Sequence, residues 1–437
     1  MEKKWSEMTP DEKREVRLNK VLQAEGVTFP TKEAEQRYKA RAQRVIDAYQ
    51  LKEPDRVPVR LSGGFFPAAY ADISGKDLIY DAEKSTMAFI KILRDFDADL
   101  ISAAPPLPGK ALEALEFKMY KWPGYGLEDE VLSHQYEEGE YMKADEYDDL
   151  IEDPTDFWLR KYLPRVFGAL APLAELARFT EIYEIPTRHL ALFGRPDVQA
   201  ALKSLMKAGD EMAAMRQQFG GIGAEVLAQG YPAFIGGFAK APLDIIGDTL
   251  RGTMAVMMDL FRRPDKLMAA IERLVPITIK GGVEAANATG SPVILMPLHK
   301  GADGFMSEKQ FEEMYWPSLK AVILGLREEG VLPMLFAEGS YNTRLEVVKD
   351  LPRGSAIWWF DQTDMGRAKA VLGDNFCIEG NVPVSLLTSG TPDQVKSYCL
   401  DLIEKCAPGG GYVLTPGASA ENARAENLQA MIAAAKA

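Results

Sequence analysis

Cysteine and histidine are both scarce in this chain: 437 residues contain three of each. The cysteines, Cys377, Cys399 and Cys406, form no Cys-x-x-Cys pair, and their odd number argues against a disulfide framework and fits a reducing compartment. Basic residues are outnumbered, 51 Lys and Arg against 64 Asp and Glu, for a formal net charge of −13. Such a surface repels phosphate backbones and anionic membranes, so no nucleic acid and no membrane is expected as a partner. Apolar runs are short, none near the roughly 20 residues that span a bilayer, and the charged start Met1-Glu2-Lys3-Lys4-Trp5 has no apolar core of a signal peptide. A soluble, cytoplasmic protein is the expectation. No Gly-x-Gly-x-x-Gly or Walker-type loop follows any strand candidate, and neither His-Glu-x-x-His nor a Ser/His/Asp signature occurs.

What is present is a large globular composition, 47% hydrophobic and 26% charged. Residues 1–50 are strongly charged with helical spacing and read as an N-terminal helical extension. From 51 to 437 short apolar runs alternate with helix-length stretches. The strand candidates are Val57–Leu61, Asp99–Ser102, Pro232–Gly237, Pro292–Met296, Leu332–Phe336, Ala356–Phe360, Phe376–Glu379 and Gly411–Thr415. Short apolar strands alternating with helices imply parallel strands covered on both faces. The count of strands and the lack of a nucleotide loop favour an α/β (β/α)8 TIM barrel over an open sheet. After the second strand, residues 111–142 read as a β-rich excursion, and 145–228 as mainly helical. Met254–Leu274, Asp364–Leu372 and a helix capped by Ser307 fill later gaps.

In such barrels the chemistry sits at the C-terminal strand ends. The polar residues there are Arg60, Ser102, Lys240, His299, Asp303, Glu338, Tyr341, Asp361, Asp364, Glu379, Asn381 and Thr415. Glu338 follows Leu335-Phe336-Ala337 and precedes Gly339, which lets backbone approach a ligand closely. Buried at a barrel mouth, this carboxylate serves as a general acid or binds a metal, or else it only fixes its loop. His299 ends an apolar strand and suits proton exchange or metal ligation, with a structural role as the alternative; His134 and His189 receive no role. Asp361 and Asp303 orient His299, bind a polar group or cap helices, and Asp364 reads as a cap. The aromatic residues Trp358, Trp359, Phe360, Phe305, Tyr315 and Trp316 form either a pocket wall or core. The candidate set is therefore Glu338, His299 and Asp361 for catalysis, and Arg60, Phe305, Tyr341, Trp359 and Asn381 for substrate binding. His299 and Glu338 are also candidate metal ligands.

Several segments, in this order and spacing, make the chain similar to the uroporphyrinogen decarboxylase superfamily, which includes cobalamin-dependent methyltransferases. They are Pro54-Asp55-Arg56-Val57-Pro58, Gly236-Gly237-Phe238-Ala239-Lys240-Ala241-Pro242, Met306-Ser307-Glu308 with Tyr315-Trp316-Pro317, Gly373-Asp374, Gly380-Asn381-Val382-Pro383 and Gly410-Gly411-Tyr412-Val413-Leu414-Thr415-Pro416-Gly417. The resemblance implies the (β/α)8 fold. It also separates branches. Arg60 matches the first arginine of the true decarboxylases, but Gly64 stands where a second would be. Ser102-Ala103-Ala104 offers no acid, and Gly417-Ala418-Ser419 no histidine. Porphyrinogen decarboxylation is not expected. In the branch that methylates coenzyme M, zinc is held by a His-x-Cys pair and a further cysteine. The matching positions are Phe336, Glu338 and Ala418, so thiol methylation is not expected either. The resemblance then implies methyl transfer from a donor such as a methoxylated aromatic to a corrinoid carried by a partner protein. Glu338, alone or with His299 around a zinc ion, would neutralise the departing oxygen. The alternatives are a decarboxylase or lyase using Arg60 to hold a small carboxylate, and a non-catalytic barrel that binds a corrinoid or tetrapyrrole.

Overall fold

Runs of β-branched, aromatic and aliphatic residues too short for helices pair here as parallel strands, because helices bury one face of them and the barrel interior the other. The computed structural model describes residues 3–101, 107–180, 182, 184–185, 187 and 190–437. The proposed strand-end residue Ser102, the rest of the Ser102-Ala103-Ala104 stretch, Pro105-Pro106 and His189 lie outside the described residues. Barrel strands are β1 (Arg60–Leu61) and β2 (Leu100–Ile101). A small separate sheet follows, β3 (Tyr120–Pro123), β4 (Gly126–Leu127) and β5 (Gln135–Tyr136). The barrel resumes with β6 (Ile235–Phe238), β7 (Val293–Leu298), β8 (Leu332–Ala337), β9 (Ile357–Phe360), β10 (Cys377–Glu379) and β11 (Tyr412–Val413).

β6 to β11 form one six-stranded parallel sheet and β1–β2 a parallel pair. A parallel bridge from Val59 to Leu414 joins the two, with the Arg60 amide donating to the Leu414 carbonyl at 3.0 Å. The spatial order β2-β1-β11-β10-β9-β8-β7-β6 is that of a (β/α)8 barrel. Among the described residues no ladder links β2 to β6. On that side the Tyr231 hydroxyl donates to the carbonyls of Leu93 and Phe96, and Arg41 lies over the Tyr231 ring and reaches the Gly230 carbonyl at 2.7 Å. No helix among the described residues is long and apolar enough to cross a membrane.

The N-terminal helices Pro10–Leu22 and Lys32–Tyr49 start at caps supplied by Thr9 and Thr31. The second packs Tyr38, Ala42, Val45 and Tyr49 in one cluster with Val293, Met334, Ile357, Trp359, Cys377 and Val413, and so stops the barrel end opposite the strand termini. The Tyr49 hydroxyl donates to Glu379 at 3.1 Å inside the barrel. Outside, fully buried Asp99 pairs with Arg44 and Arg56 at 2.6 and 2.7 Å and accepts the Val59 amide, which ties this helix to both first strands.

Two expectations about helices change in detail. Met254–Leu274 is split into Thr253–Arg262 and Pro264–Thr289, since Pro264 disfavours a helical Arg263, found at φ −143°. The excursion opens on a helix, Gly109–Ala114, before its three strands. Arg251 fastens the excursion to the barrel by donating to the Met142 carbonyl at 2.7 Å and pairing with Glu140 and Asp259.

Arg60 and Trp359 are not substrate contacts. Their side chains turn into the barrel, where Arg60 is 2% exposed, pairs with fully buried Glu379 at 2.6 Å and stacks on Trp359 at 4.1 Å. Trp359 stacks on Phe336 at 4.0 Å and donates its indole N–H to the Pro416 carbonyl. A buried guanidinium costs stability unless matched, and here the match is internal. Glu379→Leu, which strands Arg60, should lose about 3–5 kcal/mol in chemical denaturation. Arg60→Met with Glu379→Leu should recover most of that loss and leave substrate affinity unchanged.

Candidate functional site

The ladder between β7 and β8 ends at Leu298 and Ala337, so the next backbone amides need other acceptors. Asp244 supplies them. Its helical turn begins directly after β6 with Pro242 at the first position. Its carboxylate accepts the His299 amide at 3.2 Å, the Lys300 amide at 2.8 Å and the Tyr315 hydroxyl at 2.7 Å. A widened, π-helical turn over Ile245–Arg251 continues from it. Such turns concentrate at functional sites, and this one brings Asp248 to the same strand end.

Asp248 is the hub. One oxygen lies 2.6 Å from His299 Nδ1 and 2.5 Å from Lys240 Nζ, and the other 2.8 Å from Lys300 Nζ. On the far side of the ring, His299 Nε2 is 3.2 Å from Glu338 Oε2. Burial acts to raise the Asp248 carboxyl, but the His299 hydrogen bond and the Lys240 charge outweigh it and hold it well below the usual range. For His299, burial favours the neutral ring, yet hydrogen bonds to Asp248 and Glu338 win and raise it from 6.5 to about 9. Asp244 moves the other way, raised by full burial and by the neighbouring Asp248 charge. The result is an imidazolium oriented by a buried carboxylate.

These groups line a cavity of about 740 Å³ at the C-terminal mouth of the barrel, with Phe305, Asp361 and Gly339 on its wall. Asp361 accepts the Gly339 amide at 3.0 Å, and burial followed by repulsion from Glu338 raises its carboxyl. Tyr120, Tyr136, Met119 and Glu138 from the excursion close the cavity from above. The Tyr136 hydroxyl donates to the Asp248 carbonyl at 2.7 Å.

Of the residues singled out in the sequence, Lys240, His299, Glu338, Asp361 and Phe305 meet here. Glu338 is not buried: its side chain is 52% exposed, and it faces outward over His299. Tyr341 is 1% exposed and donates to the Leu298 carbonyl behind the cavity wall, so it does not bind substrate. Asn381 gives its amide N–H groups to the carbonyls of Asp361 and Thr363 and lines a neighbouring cavity rather than the one that holds His299. Asp303 holds Ser340 and Thr343 rather than His299. Trp358, Phe360, Tyr315 and Trp316 are core.

A zinc site does not fit. Catalytic zinc takes about three protein ligands. His299 and Glu338 provide two, and among the described residues no group of three or more His, Cys, Asp or Glu is placed to hold a metal ion. Lys240 and Lys300 flank the Asp248 carboxylate.

The His299 imidazole should titrate near pH 9 by NMR, and Asp248→Asn should lower that midpoint by at least about one unit. Because the folded value lies above 6.5, its stabilisation is full below about 6.5 and is lost as pH rises through about 9.

Residues 223–437 match the family model of uroporphyrinogen decarboxylase, a stretch that carries Lys240, Asp244, Asp248, His299, Glu338 and Asp361. Curated uroporphyrinogen decarboxylases of Coxiella burnetii are 22% identical over 281 residues, 60% of this chain and 77% of theirs. That of Aromatoleum aromaticum is 25% identical over 227 residues, 51% of this chain and 60% of its own. The solved structure of a methyltransferase from Methanosarcina mazei shares the fold, with a TM-score of 0.57 at 16% identity over 90% of this chain and 97% of that one. Residues 223–437 thus carry a uroporphyrinogen decarboxylase family domain, within a chain that folds as a (β/α)8 barrel.

Proposed function

We propose that the protein is a methyltransferase that moves a methyl group from a methoxylated donor, such as a methoxylated aromatic, to a corrinoid carried by a partner protein. One observation carries this reading: a protonated His299, clamped between Asp248 and Glu338, faces a cavity with aromatic walls. An ether oxygen is a poor leaving group, and its departure is eased by a proton delivered as the methyl–oxygen bond breaks. His299 Nε2 holds that proton. Asp248 keeps the ring oriented and charged, and Glu338 receives the outward side of the ring and returns a proton from solvent. The partner's reduced corrinoid supplies the nucleophile that takes the methyl group. Exposure of Glu338 at the rim lets a cofactor presented by another protein approach without entering the barrel. The solved methyltransferase of the same fold is consistent with this chemistry. The decarboxylase alternative loses the anchor assigned to it, since Arg60 is sealed inside the barrel.

The test is incubation with a reduced corrinoid protein and a panel of methoxylated compounds, following the corrinoid absorption spectrum and the demethylated product. Transfer should occur with at least one donor, and His299→Gln should lower kcat by about 10²–10⁴-fold. A folded protein that transfers no methyl group from any donor, or His299→Gln with full activity, overturns the proposal. Glu338→Ala should be slower than the parent, and full activity in that variant would remove Glu338 from the mechanism.

A further inference from the structure

The excursion between β2 and β6 lies outside the stretch that matches the family model, yet it builds the roof of the mouth. β3 and β5 pair antiparallel with Tyr120 directly opposite Tyr136. Their rings are 5.3 Å apart at 57°, and both line the cavity that holds His299 and Phe305. Aromatic rings prefer offset or edge-to-face partners, and such a corner accepts a flat ring far better than a branched chain. Tyr136 is fixed by its bond to the Asp248 carbonyl, and Arg251 fastens the excursion at its other end. The corner is therefore built in rather than adaptable.

The polar groups below it differ in how fully they are used. Asp248 meets three cations, Glu338 meets His299, Glu138 accepts the Thr253 amide at 2.6 Å, and Asp361 accepts the Gly339 amide. Buried Lys300 is held by Asp248, by the Thr253 hydroxyl at 2.9 Å and by the Phe305 face at 5.0 Å. Lys240 is different. An ammonium has three N–H donors, and among the described residues its only ion-pair partner is Asp248, with 28% of the side chain exposed. It is the cation of this cavity with donors to spare.

We infer that Tyr120 and Tyr136 form the ring-binding slot of the substrate site and that Lys240 anchors a single anionic substituent, a carboxylate or phenolate, on that ring. The inference rests on the methyl-transfer reading only for the donor's methoxy group; the slot and the anchor are properties of binding. A methoxylated aromatic acid would lie with its ring against the tyrosines, its anion on Lys240 and its ether oxygen towards His299.

Binding to the full-length protein is measured by calorimetry with para-methoxybenzoate and with uncharged methoxybenzene, without corrinoid. The acid should bind at least about tenfold more tightly, the worth of a hydrogen bond to a charged group. Lys240→Met should abolish that preference and leave methoxybenzene binding as it was, while Lys240→Arg retains it. Tyr120→Leu should weaken both ligands by about tenfold. Thermal melting of each variant establishes that it folds. Equal binding of the two ligands by the parent, or an undiminished preference in folded Lys240→Met, overturns the anchor; undiminished binding in folded Tyr120→Leu overturns the slot. Preferential binding of the acid without any methyl transfer supports this inference and counts only against the transfer reading.

Discussion

A carboxylate removed from water is tolerated only where cations and hydrogen bonds replace its hydration, and Asp248 meets that requirement with three neighbours from two strand ends. Lys240 follows β6, and His299 and Lys300 follow β7, yet one side chain on an intervening helical turn fixes where all three end. With Nδ1 held by Asp248, Nε2 turns towards Glu338 at the rim of the cavity. Asp244, one turn earlier, secures the backbone of the same two residues. Orientation of the imidazole, its charge and the position of both ammonium groups are thus one connected consequence of two aspartates placed four residues apart.

The same electrostatic rule has a different result inside the barrel. Arg60 and Glu379 satisfy each other beneath Trp359, with Tyr49 entering from the N-terminal helix. Both groups are buried, Arg60 at 2% and Glu379 at 0% exposure, so a ligand at the mouth does not reach them. At the mouth, by contrast, the Lys240 side chain is 28% exposed, and Asp248 does not exhaust its donors. The distinction between a structural ion pair and a usable one lies in access from the mouth, not in the presence of charge.

The barrel was legible in the sequence because strands buried on both faces read as short apolar runs, such as Leu332–Ala337 and Ile357–Phe360. His299, Glu338 and Asp361 were legible because each directly follows such a run. Arg60 and Trp359 were misassigned for a physical reason: alternate residues of a strand face opposite sides, and a run alone does not show which side opens on the mouth. Glu338 was taken as buried although its loop projects it into solvent. Tyr341 and Asn381 sit in strand-end loops, but the Tyr341 hydroxyl and the Asn381 N–H groups turn to backbone carbonyls, which only the folded chain reveals. Asp244 and Asp248 were missed, although Lys240-Ala241-Pro242 followed by two aspartates at helical spacing was a usable signal. For Tyr120 and Tyr136 the β-rich character of the excursion was readable, whereas its return over the mouth depends on the distant Arg251.

The stopper formed by Tyr49, Arg60, Glu379 and Trp359 has a kinetic consequence. Among the described residues the floor is closed, which leaves the mouth as the way in for small molecules, and the excursion narrows it from above. If a carrier protein docks over the rim, spent substrate is held beneath it until the carrier departs. Turnover would then be gated by traffic through the mouth, with the two large bodies separating before the small product escapes.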